Sequence, residues 1–251
     1  MSQLTLRPLA GTPQVQAGDD LAGIVKSSLL ATGETLRDRD VLILAQKIVS
    51  KAEGRMVDLT TVSPSPRAVE LAGIAQKDPR LVELILSEST EVLRCKPGVI
   101  IVAHRLGYVL ANAGIDQSNV GHASHALLLP VDPDTTSRQL REQLRADTGV
   151  EVGVLIIDSI GRAWRNGTIG TAIGLSGIPG LLNRRGYPDL FGRKLETTEI
   201  GFADEIAAAA SLVMGQGDEG TPIVLARGVP YERRDGAAAE LVRPKSMDLF
   251  R

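Results

Sequence analysis

Short apolar runs, each bounded by polar residues or glycine, predict the strands of a buried sheet. They cover residues 41–45, 99–103, 126–129, 152–157 and 223–226. Between them, apolar side chains recur every three or four residues, as on a helix face packed against a core. This spacing predicts helices over residues 67–75 and 79–93. A further helix is predicted from Ser137 through Leu144, stopping before Gly149.

The clearest helical pattern runs from Phe202 to Met214 and ends at Gly215. Its alanine block, residues 207–210, combines high helix propensity with small side chains. We therefore expect another backbone to pack closely against this helix.

The segment 161–192 contains many glycines and no sustained apolar period. Long irregular segments of this kind are usually functional or mobile, so we expect substrate-facing loops there. Helices and strands do not alternate regularly along the chain. This order favours an α+β fold, with mixed or antiparallel sheets and packed helices, over a doubly wound one. No low-complexity tract marks a linker, so we expect a single domain over residues 1–251, either undivided or built from two interleaved lobes.

Composition narrows the class of protein. The chain has 251 residues, of which 43% are hydrophobic, and can bury a substantial core. Its formal net charge is −2 and only 3% of its residues are aromatic, which argues against a nucleic-acid partner. One cysteine, Cys95, suits a reducing compartment. No export signal or long apolar stretch is present, so we expect a cytoplasmic protein that does not associate with a membrane.

Two acidic segments are candidates for a divalent-metal site. Residues 112–119 gather Asp116, amides and a hydroxyl, the oxygen-rich setting that Mg²⁺ or Mn²⁺ prefers. Asp158 and Ser159 stand at the end of the apolar run 152–157, where a buried strand would hold the carboxylate rigidly. Both segments also allow a simpler interpretation, as a polar turn around Asp116 and a turn cap at Asp158.

Basic side chains offer candidate sites for anions. Arg162 and Arg165 flank the only tryptophan, and guanidinium groups match carboxylates and phosphates, although a solvated basic loop would look the same. Lys47 and Lys51 would share one face, within reach of a polyphosphate, if a helical turn begins there.

A glycine-spaced segment, residues 214–221, could bring backbone amides close to phosphates. A helix C-cap followed by a loop explains the same pattern. Neither a Walker A sequence nor a dinucleotide-type glycine motif is present, so any nucleotide is bound by another scheme.

Taken together, five ordered motifs resemble the coenzyme F-420-0 gamma-glutamyl ligase family of archaea and actinobacteria. The resemblance covers nearly the whole chain. Its motifs are DVLILAQKIVSKAEGR at 40–55, NAGIDQSN at 112–119, LLPVDPD at 128–134, DSIGRAWR at 158–165 and MGQGDEG at 214–220. One departure is Ser159, where the family usually has threonine; the hydroxyl is kept.

The resemblance implies an α+β fold peculiar to the family, an intertwined homodimer, and a GTP site with two divalent cations, Mg²⁺ or Mn²⁺, and a supporting potassium ion. It implies that Asp116 and Asp158 bind one metal and that Ser159 and Gln216 bind the other. The implied nucleotide contacts are Gly11, Thr12, Pro13, Gln14, Gln46, Lys47, Lys51, Asn119, Met214, Gly215, Gln216, Gly217, Asp218, Glu219, Gly220 and Thr221. Arg162 and Arg165 are the candidates for holding anionic groups during catalysis.

The implied reaction joins L-glutamate to the deazaflavin precursor coenzyme F-420-0. The precursor's terminal carboxylate would attack the γ-phosphate of GTP, and the amine of L-glutamate would capture the acyl phosphate; further γ-linked glutamates would follow. Two alternatives use the same residues. One is a metal-dependent phosphohydrolase that activates water, and the other is a non-catalytic nucleotide-binding protein of deazaflavin metabolism.

Overall fold

The computed structural model of the protein describes residues 3–118 and 124–248. Its strands are β1 (Thr5–Pro8), β2 (Val41–Ala45), β3 (Met56–Asp58), β4 (Ser89–Lys96), β5 (Val99–His104), β6 (Val109–Ala111), β7 (His125–Leu127), β8 (Gly153–Arg162), β9 (Arg165–Ser176), β10 (Leu182–Asn183), β11 (Glu199–Ile200) and β12 (Ile223–Arg227). Its α-helices are α1 (Leu21–Thr32), α2 (Gln46–Ala52), α3 (Pro66–Ala75), α4 (Pro79–Ser87), α5 (Pro133–Thr148) and α6 (Phe202–Met214).

The central sheet has the strand order β1-β12-β2-β8-β9. Within it, β2 and β8 are parallel, with Val41 opposite Gly153 and Ala45 opposite Ile157. The other neighbouring pairs are antiparallel. This mixed sheet, with helices packed on it, confirms the predicted α+β class.

Helices cover both faces of the central sheet, because successive side chains of a strand point to opposite faces. From β2, Leu42 and Leu44 join a core with α1 and α5, whereas Val41 and Ile43 join a second core with α6. Burial on both faces explains why β2 is an uninterrupted apolar run. None of the described helices is long and apolar enough to cross a membrane.

The helix α6 has the predicted bounds, and β9 packs closely against its alanine block as expected. A Cβ atom built on Gly170 would lie 2.4 Å from the Ala207 carbonyl oxygen. Likewise, a Cβ atom on Gly174 would lie 2.3 Å from Pro133 Cβ, at the start of α5. Glycine at these two positions lets β9 fit between α6 and α5.

The prediction of loops in segment 161–192 is wrong for the first half of the segment. β8 extends to Arg162 and β9 follows at Arg165, so the first half of the segment is a long antiparallel hairpin. Beyond Ser176 the segment is irregular apart from β10. Glycine content misleads here because Gly170 and Gly174 serve close packing rather than turns.

A second group of elements surrounds its own core, which includes Leu71, Ile85 and Ile100. It consists of α3, α4, the antiparallel sheet β4-β5-β6 and the antiparallel pair β3-β7.

The prediction of one helix over 79–93 is wrong. The helix α4 ends at Ser87, and β4 begins at Ser89. Val92, which fits the helical spacing, instead pairs with Val102 of β5. Pairing with a neighbouring strand therefore overrides the local helical pattern.

Candidate active site

A cleft of about 890 Å³ lies at the carboxyl end of β2 in the central sheet. The parallel pairing of β2 with β8 stops at Ala45 and Ile157. Beyond this point β8 continues and is paired only with β9. Asp158 is the first residue of β8 beyond that pairing, rather than a residue at the strand's end as expected. Asp158 and Ser159 both line the cleft.

The helix α2 begins directly after β2 and carries three polar cleft residues. Gln46 is buried, and its Oε1 accepts a 2.8 Å hydrogen bond from Ser50 Oγ. Lys47 and Lys51 are one helical turn apart and both line the cleft, so the helical spacing of these lysines is confirmed. Burial and the neighbouring Lys47 ammonium lower the pKa of Lys51.

Asp116 is held by its backbone and by both carboxylate oxygens. Its N–H donates to the Leu127 carbonyl at 3.0 Å, and its carbonyl accepts from Leu127 N–H at 2.8 Å. Lys47 Nζ lies 2.8 Å from Oδ2, and Ser118 N–H donates to Oδ1 at 2.6 Å. Burial would raise the pKa of Asp116, but the hydrogen bonds from Lys47 and Ser118 hold it below its usual value. Asp116 is therefore a fixed negative charge that Lys47 partly balances.

Asp158 has the opposite electrostatic environment. Burial raises the pKa of Asp158 to about 6, and the negative charge of Asp116 adds to the shift. Hydrogen bonds from the Ser159 backbone and the Gln46 side chain act against it. Because the two carboxylates repel each other, a cation bound between them would relieve that repulsion.

The atoms near these carboxylates that could bind a metal ion are oxygen atoms. Ser159 and Gln216 also line the cleft, and Gln216 Oε1 accepts a 2.8 Å hydrogen bond from Thr168 Oγ1. Within residues 3–118 and 124–248, no group of three or more His, Cys, Asp or Glu side chains is arranged to hold a metal. Two carboxylates with hydroxyl and amide oxygens fit a hard cation such as Mg²⁺, which keeps further ligands from phosphate or water.

Residues 214–221 form a tight loop, and every one of them lines the cleft. Gly215 has a φ of 75° and a ψ of 172°, a backbone conformation that is essentially restricted to glycine. Gly217 N–H donates to Glu219 Oε2 at 2.8 Å. Thr221 Oγ1 donates to the Met214 carbonyl at 3.2 Å. Internal hydrogen bonds thus hold this loop in place along one side of the cleft.

Predicted nucleotide contacts near the amino terminus divide into two sets. Thr12, Pro13 and Gln14 line the cleft. Gly11 is not among the lining residues, and a Cβ atom on it would lie 3.1 Å from Ala31 Cβ. Asn119 falls outside the described residues.

Arg162 and Arg165 are not among the residues that line the cleft. Both are exposed at the turn that joins β8 to β9. Their assignment to anion binding stays a prediction.

Two polar cleft residues were not singled out by the sequence patterns. Ser118 Oγ accepts a 2.7 Å hydrogen bond from Lys47 Nζ. Its position inside the acidic segment 112–119 is the sequence feature that could have identified it as a cleft residue. Ser211 on α6 also lines the cleft, and its Oγ accepts from Gly170 N–H at 3.3 Å. In sequence, Ser211 looks like any polar position of a helix.

Comparison with known proteins agrees with these motifs. The family model described as F420-0:Gamma-glutamyl ligase matches residues 11–228. The chain is 46% identical to the coenzyme F420:L-glutamate ligase of Methanothermobacter thermautotrophicus over 250 residues, which cover 99% of both chains. It is 46% identical to the ligase of that name from Methanopyrus kandleri, over 99% of this chain and 98% of the relative. For the Archaeoglobus fulgidus ligase, the identity is 41% over 97% of this chain and 95% of the relative. The chain belongs to the F420-0:gamma-glutamyl ligase family.

Proposed function

We propose that this protein is a GTP-dependent ligase that adds L-glutamate to the deazaflavin precursor coenzyme F-420-0, and then adds further γ-linked glutamates. Membership of the ligase family supports the reaction class. The observation that carries the proposal is the convergence, in one cleft, of α2, the Asp116 segment, the Asp158 segment and the loop 214–221. These segments are distant in sequence, and together they offer the cations, carboxylates and backbone amides that a nucleoside triphosphate and its metals require.

In the proposed arrangement, the loop 214–221, Gln46 and the residues Thr12–Gln14 contact the nucleotide, and Lys47 and Lys51 contact its phosphates. Asp116 and Asp158 would hold one divalent cation, and Ser159 and Gln216 the second, with potassium as a supporting ion. Bound cations would neutralise charge on the phosphoryl oxygens. Both lysines line the cleft beside the carboxylates, which supports their role at the phosphates.

Bond making and breaking then proceed in two steps. A carboxylate oxygen of the acceptor attacks the γ-phosphorus of GTP, the bond to the β-phosphate oxygen breaks, and GDP leaves. Next, the amine of L-glutamate attacks the acyl carbon, loses a proton, and releases inorganic phosphate as the amide forms. The protein's contribution is to position the reactants and to offset negative charge.

Mass spectrometry of the deazaflavin acceptor tests the proposal, after incubation with the protein, GTP, Mn²⁺ and L-glutamate. We expect mass increments of one or more glutamates, with sustained GDP release that depends on both acceptor and glutamate. Sustained GDP release without the acceptor would favour a phosphohydrolase instead. Binding of GTP without any turnover would favour a non-catalytic nucleotide-binding protein.

We also propose that the protein works as a homodimer, on the strength of the family resemblance. Light scattering coupled to size-exclusion chromatography should give twice the chain mass of 26.7 kDa. A monomer that is fully active would contradict this part of the proposal.

A further inference from the structure

The hairpin formed by β8 and β9 extends past the cleft into solvent. Residues 161–168, which include its turn, are all exposed. Both strands contact the candidate site at the base of that tip: β8 carries Asp158 and Ser159, and Thr168 of β9 donates to Gln216. From Ser159 to Arg162 is three residues of strand, or about 10 Å. The turn of the hairpin tip (residues 161–168) therefore begins about 10 Å from Ser159, within the length of a small organic molecule.

Trp164 at this tip is exposed and conformationally unusual. Its exposed fraction is 87%, the largest of any aromatic residue in the described part of the chain. Its φ is 63°, in the left-handed region that turns normally fill with glycine or asparagine. Neither burial nor local backbone preference therefore accounts for a large aromatic side chain here. Outliers of this kind concentrate at functional sites.

The charges around Trp164 favour an anionic partner. Arg162 and Arg165 face each other across the base of the turn, and both are exposed. No acidic residue occurs between positions 161 and 168. Within the described residues, neither guanidinium forms an ion pair. An exposed indole between two arginines is suited to a flat aromatic ring that carries negative charge.

We propose that Trp164 stacks on the deazaflavin ring of the acceptor, while Arg162 and Arg165 contact its anionic groups; this inference rests on the proposed function. The acceptor would reach from the hairpin tip to the cleft, with its ring on Trp164 and its terminal carboxylate beside Asp158 and Ser159. Trp164 thus determines which acceptor is bound and takes no part in binding GTP.

Binding of the acceptor can be measured without turnover, by titration calorimetry in the absence of GTP. We compare wild-type protein with Trp164→Ala, Trp164→Gly and Trp164→Phe. Aromatic stacking on a planar base contributes enough that losing the ring should weaken the Kd about 10-fold or more. Trp164→Phe should stay within about 3-fold of wild type, because the ring is kept. Glycine suits a positive φ, so lost affinity in Trp164→Gly would not reflect misfolding.

Phe191→Ala is the matched control, because Phe191 is 86% exposed and lies outside the hairpin tip. Its Kd for the acceptor should equal that of wild type. In turnover assays, Trp164→Ala should raise the KM for the acceptor and leave the KM for GTP unchanged. Wild-type affinity in both Trp164→Ala and Trp164→Gly would overturn the inference while leaving glutamate ligation by the wild type intact. A wild type that binds the acceptor through Trp164 but forms no product would instead overturn the proposed function.

The only tryptophan also provides a direct probe, because all indole emission comes from Trp164. Acceptor should change this emission at a fixed protein concentration. Emission that changes with protein concentration, and not with acceptor, would show that Trp164 contacts a second copy of the chain and would overturn the inference.

Discussion

Asp116 and Asp158 line the same cleft, but their surroundings shift the pKa values of the two carboxyl groups in opposite directions. Asp116 is paired with Lys47 at 2.8 Å, and its pKa lies below the usual value. Burial raises the pKa of Asp158 to about 6, so its charged form is less favourable here than in water, and a bound cation would offset that cost. A fold gains no stability from a carboxylate in that environment. Such groups are characteristic of functional sites.

Asp158→Asn should abolish metal-dependent turnover without unfolding the protein. The amide keeps the size of the side chain but removes the charge that a divalent cation needs. We expect GDP release to fall by at least about 100-fold. Urea unfolding without divalent cations should show no loss of stability, because the buried charge is gone.

Asp147→Asn is the control, since Asp147 pairs with Lys26 away from the cleft. This variant should retain wild-type turnover. Turnover at the wild-type rate in Asp158→Asn would refute the metal assignment.

Some elements of the fold can be predicted from the sequence and others cannot, for physical reasons. The α6 boundaries were predicted because helix propensity, apolar spacing and Gly215 agree at that place. β4 was not predicted because this strand forms by pairing with β5, where Val102 lies opposite Val92. No local sequence pattern identifies that partner. Motif resemblance placed Asp116 and Asp158 together, whereas Ser211 was missed because its role arises only from the approach of β9.

Gly170→Ala should destabilise the protein by separating β9 from α6. The added Cβ atom would lie 2.4 Å from a backbone oxygen of α6, which cannot move aside as a side chain can. We expect a loss of about 1–3 kcal/mol in the free energy of unfolding, measured by urea denaturation. Gly161→Ala is the matched control, because that β8 glycine has nothing within 4 Å of the added atom. Equal stability of the two variants would show that close packing at Gly170 is unimportant.

Across the whole molecule, an ionic cluster around the buried Glu88 connects the second group of elements to the chain that follows α2. Arg55 follows α2, and its Nη2 lies 2.8 Å from Glu88 Oε1. Arg105 Nε lies 2.9 Å from Glu88 Oε2. Arg55 Nε donates to the Leu129 carbonyl, and Arg105 Nη1 donates to the Val131 carbonyl. Glu88 thus fixes two arginines that hold the chain between β7 and α5.

Glu88 should make the stability of the protein depend on acidity below pH 4.5. Burial alone would raise its pKa, but His104, Arg55 and Arg105 lower the pKa of Glu88 from 4.5 to about 2. The folded pKa is below the unfolded one, so this stabilisation is complete above about pH 4.5 and is lost as the pH falls towards 2. The shift corresponds to about 3 kcal/mol. Glu88→Gln should lose stability of that order at pH 7 and show a flatter pH dependence in urea unfolding between pH 2.5 and 5.

Glu70→Gln, which breaks an exposed pair with Arg67, should lose less than about 1 kcal/mol. If Glu88→Gln kept the acid sensitivity of the wild type, other carboxylates would have to account for it.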